Sequence, residues 1–503
     1  MPEAYLAIDL GASSGRAIVG VFDADAGRLT LEEVHRFAHV PCPTPTGPVW
    51  DLTGIWRETL AGLAKASAWC KEQKVDLRSI GVDTWGVDWV AVGEQGELLS
   101  LAHCYRDPRN EPAAEAVIEK LGGFDQLYQR TGIQRMPFNT IFQLAASHAA
   151  EPRLLESTGR VLLLPDLLHY WLSGEQATEH TIASTTSMLT AETGEWDTEL
   201  LNRLGLPTDV LAPLVQPGTD LGALLPEVAE HTGAPATLRV VTPAAHDTAS
   251  AVVAAPAMGG DDWAYLSSGT WSLVGVEATE PVLTPAAREA PLTHERGPLS
   301  TYRLLKNISG LWPIQLLRAE LAEHDPSLGF DHLVADAEEA TPLVTLVNPD
   351  DSRFASPGPI VSRLKGYAKE TGQPEPESPG ALARCCLESL ALSYRHTLDN
   401  IGPIVGRQLD TLHIVGGGVQ NELLNRLAAA ATGRHVTAGP VEATTIGNVL
   451  MQAVGLGRLP DLAAIRQVVR DSFDVVTVEA PAGNDPIASD ATRERFARLL
   501  THS

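Results

Sequence analysis

The chain has 503 residues, more than one hydrophobic core usually spans, so two or more domains are expected. Its 63 acidic against 37 basic side chains give a formal charge of −26, which speaks against nucleic acid or an anionic membrane as a partner of the whole surface. No basic and apolar leader precedes the first strand, and no apolar stretch reaches the length of a membrane span, so a cytoplasmic protein is expected. The five cysteines (Cys42, Cys70, Cys104, Cys385 and Cys386) have no metal spacing and read as reduced thiols.

The first predicted elements are two strands, residues 5–8 and 17–22, joined by Asp9-Leu-Gly-Ala-Ser-Ser-Gly-Arg16. Gly11 and Gly15 suit a tight bend and a close ligand. Ser13, Ser14 and the backbone N–H groups offer donors, and Arg16 offers charge, a combination that could cradle a phosphate. Asp9 ends the first strand and suits a magnesium ion held through water. Three readings are open: a structural glycine hairpin, a phosphate hairpin, and a nucleophile elbow, since Gly11-Ala-Ser13-Ser-Gly15 fits G-x-S-x-G. The elbow requires a helix after the turn, where this chain has strand residues.

A third strand, residues 29–37, leads through a proline-rich loop to Asp51, which is placed to cap a helix reaching about residue 72. The strand over 77–82 ends in Asp83-Thr-Trp-Gly-Val-Asp-Trp89, followed by a strand over 87–92. There Trp85 either stacks on a sugar face or packs at the sheet end, and Gly86 would let a polyol approach the backbone. Helices are expected over 111–121, 141–150 and 165–172. Asn139, Thr140 and Gln143 carry amide and hydroxyl groups suited to sugar hydroxyls. Residues 178–190, rich in Thr and Ser, are expected as strand or loop.

Near residue 240 the pattern restarts, which places a linker at about 235–245. Asp247 begins a helix, where it can be an N-cap, a general base kept ionised by the helix dipole, or both. Residues 262–276 repeat the order strand, Ser/Gly/Thr turn, strand, with Thr270 in the turn, so a weak internal repeat is expected. Ser378 should cap a long helix to about residue 400. A strand at 411–415 then runs into Gly416-Gly-Gly418 and a helix over 422–432 that could present its N–H groups to an anion. A short strand over 435–438 and a helix over 449–454 follow. Strands alternating with helices in both halves make the class α/β. No G-x-x-x-x-G-K-[ST] is present, and no G-x-G-x-x-G opens a βαβ unit.

The set of motifs resembles the FGGY carbohydrate kinases. The resemblance rests on residues 9–16, Gly81-Val-Asp-Thr-Trp-Gly-Val-Asp88, Met136-Pro-Phe-Asn-Thr140 and His246-Asp-Thr-Ala-Ser250. It continues through Tyr265-Leu-Ser-Ser-Gly-Thr-Trp-Ser272, Lys306-Asn-Ile308, His413-Ile-Val-Gly-Gly-Gly418 and Gly439-Pro-Val-Glu-Ala443, and so covers nearly the whole chain. It implies two actin-like (ribonuclease H-like) ATPase domains, residues 1–242 and 243–503, with the active site in the cleft between them. The cofactors it implies are ATP and Mg²⁺. Ala12, Ser13, Ser14, Gly15 and Arg16 would lie along the ATP phosphates, Thr270 would bind phosphate, Gln315 and Gly417 would contact the nucleotide, and Asp9 would help place the metal. Gly86, His246, Asp247, Thr248 and Asn307 would hold the ketose, with Asp247 as the catalytic base. The implied reaction is transfer of the γ-phosphoryl group to O1 of L-rhamnulose. Another deoxyketose such as L-fuculose, or an actin-like nucleotide-binding regulator, is the alternative. Cys385 and Cys386 do not reproduce the cysteine pairs that some of these enzymes carry in the last third. Oligomeric state is left open.

Overall fold

The opening turn is a hairpin inside a larger sheet. In the computed structural model, which describes residues 2–479 and 485–501, β1 (Glu3–Leu10) and β2 (Ser14–Asp23) pair antiparallel, and β3 (Arg28–Ala38) extends them. Asp51 accepts a hydrogen bond from Gly54 N and starts α1 (Leu52–Gln73), which buries Ile55, Leu63, Ala66 and Cys70. The chain returns parallel to β1 as β4 (Asp76–Thr84), and β5 (Asp220–Ala223) and β6 (Arg239–Val241) complete the order β5-β6-β4-β1-β2-β3. A short helix, α2 (Asp247–Val253), follows.

The second sheet starts with another antiparallel hairpin, β7 (Trp263–Ser268) and β8 (Ser272–Ala278), then β9 (Thr293–Arg296) and β10 (Tyr302–Ile308). After α3 (Trp312–Ala322) and α4 (Pro379–Val405) come β11 (Thr411–Val415), α5 (Glu422–Thr432), β12 (His435–Ala438), α6 (Ala443–Gly455) and β13 (Val476–Val478). The strand order is β9-β10-β8-β7-β11-β12-β13. In both sheets the first strand of the hairpin pairs parallel with a later strand, β1 with β4 and β7 with β11. The strand–turn–strand repeat read from the sequence is therefore a repeat of topology.

The chain folds as two units that are not consecutive in sequence. The first takes residues up to 254, 277–304 and 443–472; the second takes 255–276, 305–442 and the residues from 473 on. The expected cut at 242/243 and linker at 235–245 thus give way to a different division. Residues 239–241 are a strand of the first sheet, and Thr84 N donates to Ala245 O at 2.9 Å. Helix α2, made of small residues, stays with the first unit because its neighbour is α6, reached some 190 residues later.

Three other expectations change. Residues 178–190 form a two-residue strand, a helical turn at His180–Ala183 and a 3-10 turn at Ser184–Thr186. The hydroxyls of Ser184, Thr185 and Thr186 bond back to the carbonyls of Thr181, Ile182 and Ala183, which lets Ser and Thr sit in helical backbone. Helix α4 continues past residue 400 to Val405 and stops at Gly406, whose left-handed conformation ends it. Helix α6 begins at Ala443, six residues before the expected start, and this changes the reading of the site. All five cysteines are free, and four are buried. No helix among the described residues is long and apolar enough to cross a membrane.

Close approach of α6 to α2 depends on Gly447, where a Cβ would overlap Ser250 O. Gly447→Ala is expected to cost about 1–3 kcal/mol by overpacking. Gly366→Ala, in open space inside the helix Ile360–Glu370, should instead gain roughly 0.5–1 kcal/mol by the ordinary glycine-to-alanine helix effect. Urea denaturation of the two variants beside the parent chain checks both signs.

Candidate active site

Strand register assembles the first part of the site. Asp9 at the end of β1 lies opposite Arg16 of β2 and opposite Asp83 of β4. Residues directly opposite in a sheet point to the same face, so the three charges share one edge. Arg16 Nη2 donates to Asp9 Oδ2 at 2.6 Å. Asp83 is fully buried, and its carboxyl is held well above the usual carboxylate range by burial first and by the Asp9 charge second. The turn itself, residues 11–14, is closed by Gly11 N donating to Ser14 O, and Ser13 is exposed at its tip. Neither Gly11 nor Gly15 is in the left-handed region. Gly15 is needed because a Cβ would overlap the Phe37 ring and Leu10. A strand follows the turn, which removes the nucleophile-elbow reading.

Helix α6 supplies what these carboxylates need. Thr445, Asn448 and Gln452 are spaced three and four residues apart, so they form one polar face on a helix that, Thr444 apart, is otherwise apolar. Thr445 Oγ1 donates to Asp9 Oδ2 at 3.0 Å, and Asn448 Nδ2 donates to Asp83 Oδ2 at 2.6 Å. Gln452 Nε2 donates to Leu6 O and to Asn448 Oδ1, and its Oε1 accepts from Ser79 Oγ. Each buried polar atom in this row offsets the desolvation of the next. Gly81 in β4 makes room, since a Cβ there would press on Asn448, Gln452 and Val241 O.

The candidate base is set by a loop pinned from two sides. A parallel bridge joins Thr84 to His246. Glu179, fully buried, accepts from Ala245 N at 3.0 Å and also from Thr181 N and Ile182 N; Thr181 Oγ1 accepts from His246 N. Asp247 is the first residue of α2 and not its N-cap, which is His246 without a capping side-chain bond. The N-cap reading is thereby corrected: the Asp247 carboxylate accepts from the next residue, Thr248 N and Oγ1, at 2.6 and 3.2 Å, instead of from the second or third helical N–H. Its side chain is 28% exposed, whereas His246 and Thr248 are buried. Burial raises the Asp247 carboxyl above its ordinary value and Asp9 adds to the rise, while His246 and Thr248 oppose it.

Gly86 lies in a strained turn beside this loop. Asp88 N donates to Gly86 O, and Val87 between them has φ +71°, the geometry of a γ-turn that costs a β-branched residue roughly 1–3 kcal/mol. Thr185 Oγ1, Thr140 Oγ1 and Gln143 Nε2 all bond to Val87, and Asn139 Nδ2 donates to Thr185 O. The donor groups of Asn139, Thr140 and Gln143 are therefore engaged in holding the turn, while the Gln143 Oε1 is buried without a hydrogen-bond partner. Trp85 takes its packed alternative: it is 7% exposed, lies 4.3 Å from the Trp50 ring between centroids, and donates to Asp88 Oδ2. Gly86 alone of residues 81–90 is partly exposed.

In the second unit, Thr270 and Gln315 meet directly, with Thr270 Oγ1 and the Gln315 amide 3.2–3.3 Å apart. The turn after β7 is tied to the start of α3 by Leu311 N to Gly269 O and Trp312 N to Thr270 O. Strand β11 ends beside β7, Val415 opposite Ser267, and its glycine loop packs on Ser268: a Cβ at Gly418 would overlap the Ser268 hydroxyl. Gly416 needs its freedom at φ +89°, and Gly417 is exposed with open space around its Cα. Gly417–Gln420 is a 3-10 turn, and Asn421 caps α5 by accepting from Leu424 N, so the expected free helix N–H groups are partly occupied. Asn307, also in this unit, is a partly exposed residue of β10.

Residues 4–254 match the N-terminal domain of the FGGY family of carbohydrate kinases, and residues 264–456 match its C-terminal domain. The chain belongs to the FGGY family of carbohydrate kinases. It is 41% identical over 500 residues to a rhamnulokinase of Bacteroides thetaiotaomicron, covering 99% of this chain and 100% of the relative. It is 40% identical to a rhamnulokinase of Bacillus subtilis over 94% of each chain. Among solved structures, a ligand-bound xylulose kinase of Lactobacillus acidophilus shares the fold at 16% identity, with a TM-score of 0.77 over 99% of this chain and 97% of the other. A glycerol kinase of Plasmodium falciparum with ADP does so at 15% identity, TM-score 0.76, with the same coverage. The two-unit α/β architecture is thus that of an ATP-dependent sugar kinase.

The helix expected over 449–454 leaves Thr445 and Asn448 outside it, so the polar row that Gln452 completes in this FGGY kinase is not evident from the sequence. Their three-four spacing among apolar neighbours was the available signal. Glu179, Glu295 and Arg303 were also missed; a charge inside a short strand, as at Arg303 in Tyr302–Ile308, is a signal of the same kind.

Glu179 offers a test of the pinned loop. Burial pushes its pKa up to about 7, against the pull of its Thr181 and Ala245 donors. Between about pH 4.5 and 7 the folded chain holds a proton there that the unfolded chain has lost, so the contribution of Glu179 to stability falls as pH rises through that window. Urea unfolding at several pH values should therefore show the parent chain losing ground to the non-titrating Glu179→Gln variant from pH 5 to pH 8.

Proposed function

We infer that the protein transfers the γ-phosphoryl group of ATP to O1 of L-rhamnulose, giving L-rhamnulose 1-phosphate and ADP. The observation that carries this reading is the full-length likeness, at 40–42% identity, to relatives named rhamnulokinase. In this reading Gly86, His246, Asp247, Thr248 and Asn307 contact the ketose, residues 12–16 and Thr270 the phosphates, and Gln315 and Gly417 the nucleotide. Exposure supports these roles, since Ser13 and Gly417 are exposed and Asp247 and Gly86 are partly exposed among buried neighbours.

Asp247 takes the proton of the O1 hydroxyl as that oxygen attacks the γ-phosphorus, and the β–γ bridging oxygen leaves with ADP. The hairpin N–H groups and Arg16 orient the phosphates and offset their charge. Mg²⁺ fits the residues present. Asp9 and Asp247 are hard oxygen donors, the Asp83 Oδ1 atom beside them is buried without a hydrogen-bond partner, and Arg16 is the cation bonded into the cluster. Among the described residues no three-residue metal cage is formed, and Mg²⁺ held by one or two carboxylates, water and phosphate needs none. When bound it would neutralise phosphate charge.

A panel of ketoses assayed for ADP release tests the substrate. L-rhamnulose is expected to give the highest kcat/KM, and a clear preference for L-fuculose would replace this reading with its alternative. ADP release independent of any sugar would favour a nucleotide-binding regulator. Asp247→Asn is expected to lower kcat at least about 10³-fold while ATP still binds, because the amide has no basic oxygen for the proton; near-full turnover would remove Asp247 as base.

A further inference from the structure

Behind His246 lies an ion pair that the phosphoryl transfer described above does not use. Glu295 is 5% exposed and Arg303 is fully buried. Arg303 Nη2 donates to Glu295 Oε2 at 2.8 Å, and Glu295 Oε2 is 3.1 Å from His246 Nδ1. On the other side of the same ring, Nε2 stands 3.5 Å from Asp247 Oδ1. Arg303 Nη2 also stands 3.2 Å from the same His246 Nδ1, so Arg303 and Glu295 meet the ring together on one side and Asp247 lies on the other, contributed by the hairpin β9–β10 and by the start of α2.

Two features argue that this arrangement does more than hold the fold. A buried ion pair is a poor source of stability, because its desolvation consumes most of its attraction. Here the guanidinium is also incompletely satisfied: Arg303 Nε donates to Arg296 O, but Nη1 is buried with no partner. Second, Asp247 lacks support of its own. It starts a seven-residue helix, and its hydrogen bonds come from the adjacent Thr248 alone. Those bonds and the His246 approach all fall on Oδ1. The ring of His246 has the same need: Glu295 fixes which way it faces.

We propose that Glu295 and Arg303 are a positioning pair for the phosphoryl-transfer base, acting through the His246 ring to hold the Asp247 carboxylate in the orientation that accepts the ketose proton. The proposal rests on the reading of Asp247 as that base. Neither residue touches substrate. Each acts by fixing His246, as a carboxylate behind a histidine does in other acid–base sites.

The test compares Glu295→Gln, the charge-free pair Glu295→Gln/Arg303→Met, and Asp247→Asn in the full-length chain. Glu295→Gln is expected to lower kcat roughly 10- to 100-fold, with the KM values for ketose and ATP within about threefold, since orientation is felt in the transition state more than in binding. The double variant leaves no unpaired buried charge, so its melting temperature should return toward that of the parent while its kcat stays low. Recovery of kcat together with the melting temperature would show a purely structural pair and overturn the proposal. Parent-like kcat in Glu295→Gln would overturn it too, and that single variant decides if the double one does not fold. Asp247→Asn separates the two levels: an active Asp247→Asn rejects the base and the pair with it, whereas an inactive one beside a fully active Glu295→Gln rejects the pair alone.

Discussion

The first unit depends on one buried carboxylate, Asp9, and on how its charge is met. At 5% exposure it must find partners inside the protein. Arg16 reaches it across the hairpin and Thr445 reaches it from α6, both on the same oxygen. The first partner is seven residues away and the second more than four hundred. That one atom therefore joins the opening turn to a helix near the end of the chain, and the polar face of α6 carries the tie onward to Asp83, Leu6 and Ser79.

The same tie explains why the units are not consecutive. Helix α6 must lie against the first sheet to satisfy those carboxylates, and glycines at 81 and 447 remove the side chains that would keep it away. Helix α2 follows α6 because Ser250 packs at Gly447. The residues before α2 are caught between Thr84 and Glu179, so Asp247 is delivered to the edge where Asp9 and Asp83 already lie. Placement of Asp247, the proposed base, is in this sense a consequence of packing, with the strand ends as the fixed points.

Local chemistry was legible where a local cause sufficed. Asp51 and Ser378 cap their helices by accepting from Gly54 N and Ala381 N, as their positions in the sequence indicate. The hairpins around residues 9–16 and 267–272 form as read. Roles that depend on distant partners were not legible. Trp85 looks like a sugar platform until Asp88 and Trp50 claim its indole and its face. Thr140 and Gln143 look like sugar ligands until both are seen to donate to Val87 O, at its strained φ, and Asn139 until it is seen to donate to Thr185 O. Gly15 reads as a flexible turn residue, yet its reason is the Phe37 ring of the neighbouring strand.

The sequence by itself determined the α/β class, the doubled hairpin motif, the family and the identity of the small-residue loops, because these follow from strand propensity, turn chemistry and the order of short motifs along the chain. Only the tertiary structure decided which residues serve Asp9, Asp83 and Asp247, where the chain divides, and what stands behind His246. The physical reason is the same in each case. A buried charge is satisfied by whatever donor the fold brings within about 3 Å, and nothing in a linear sequence sets the distance between Asp9 and Thr445, or between His246 and Glu295.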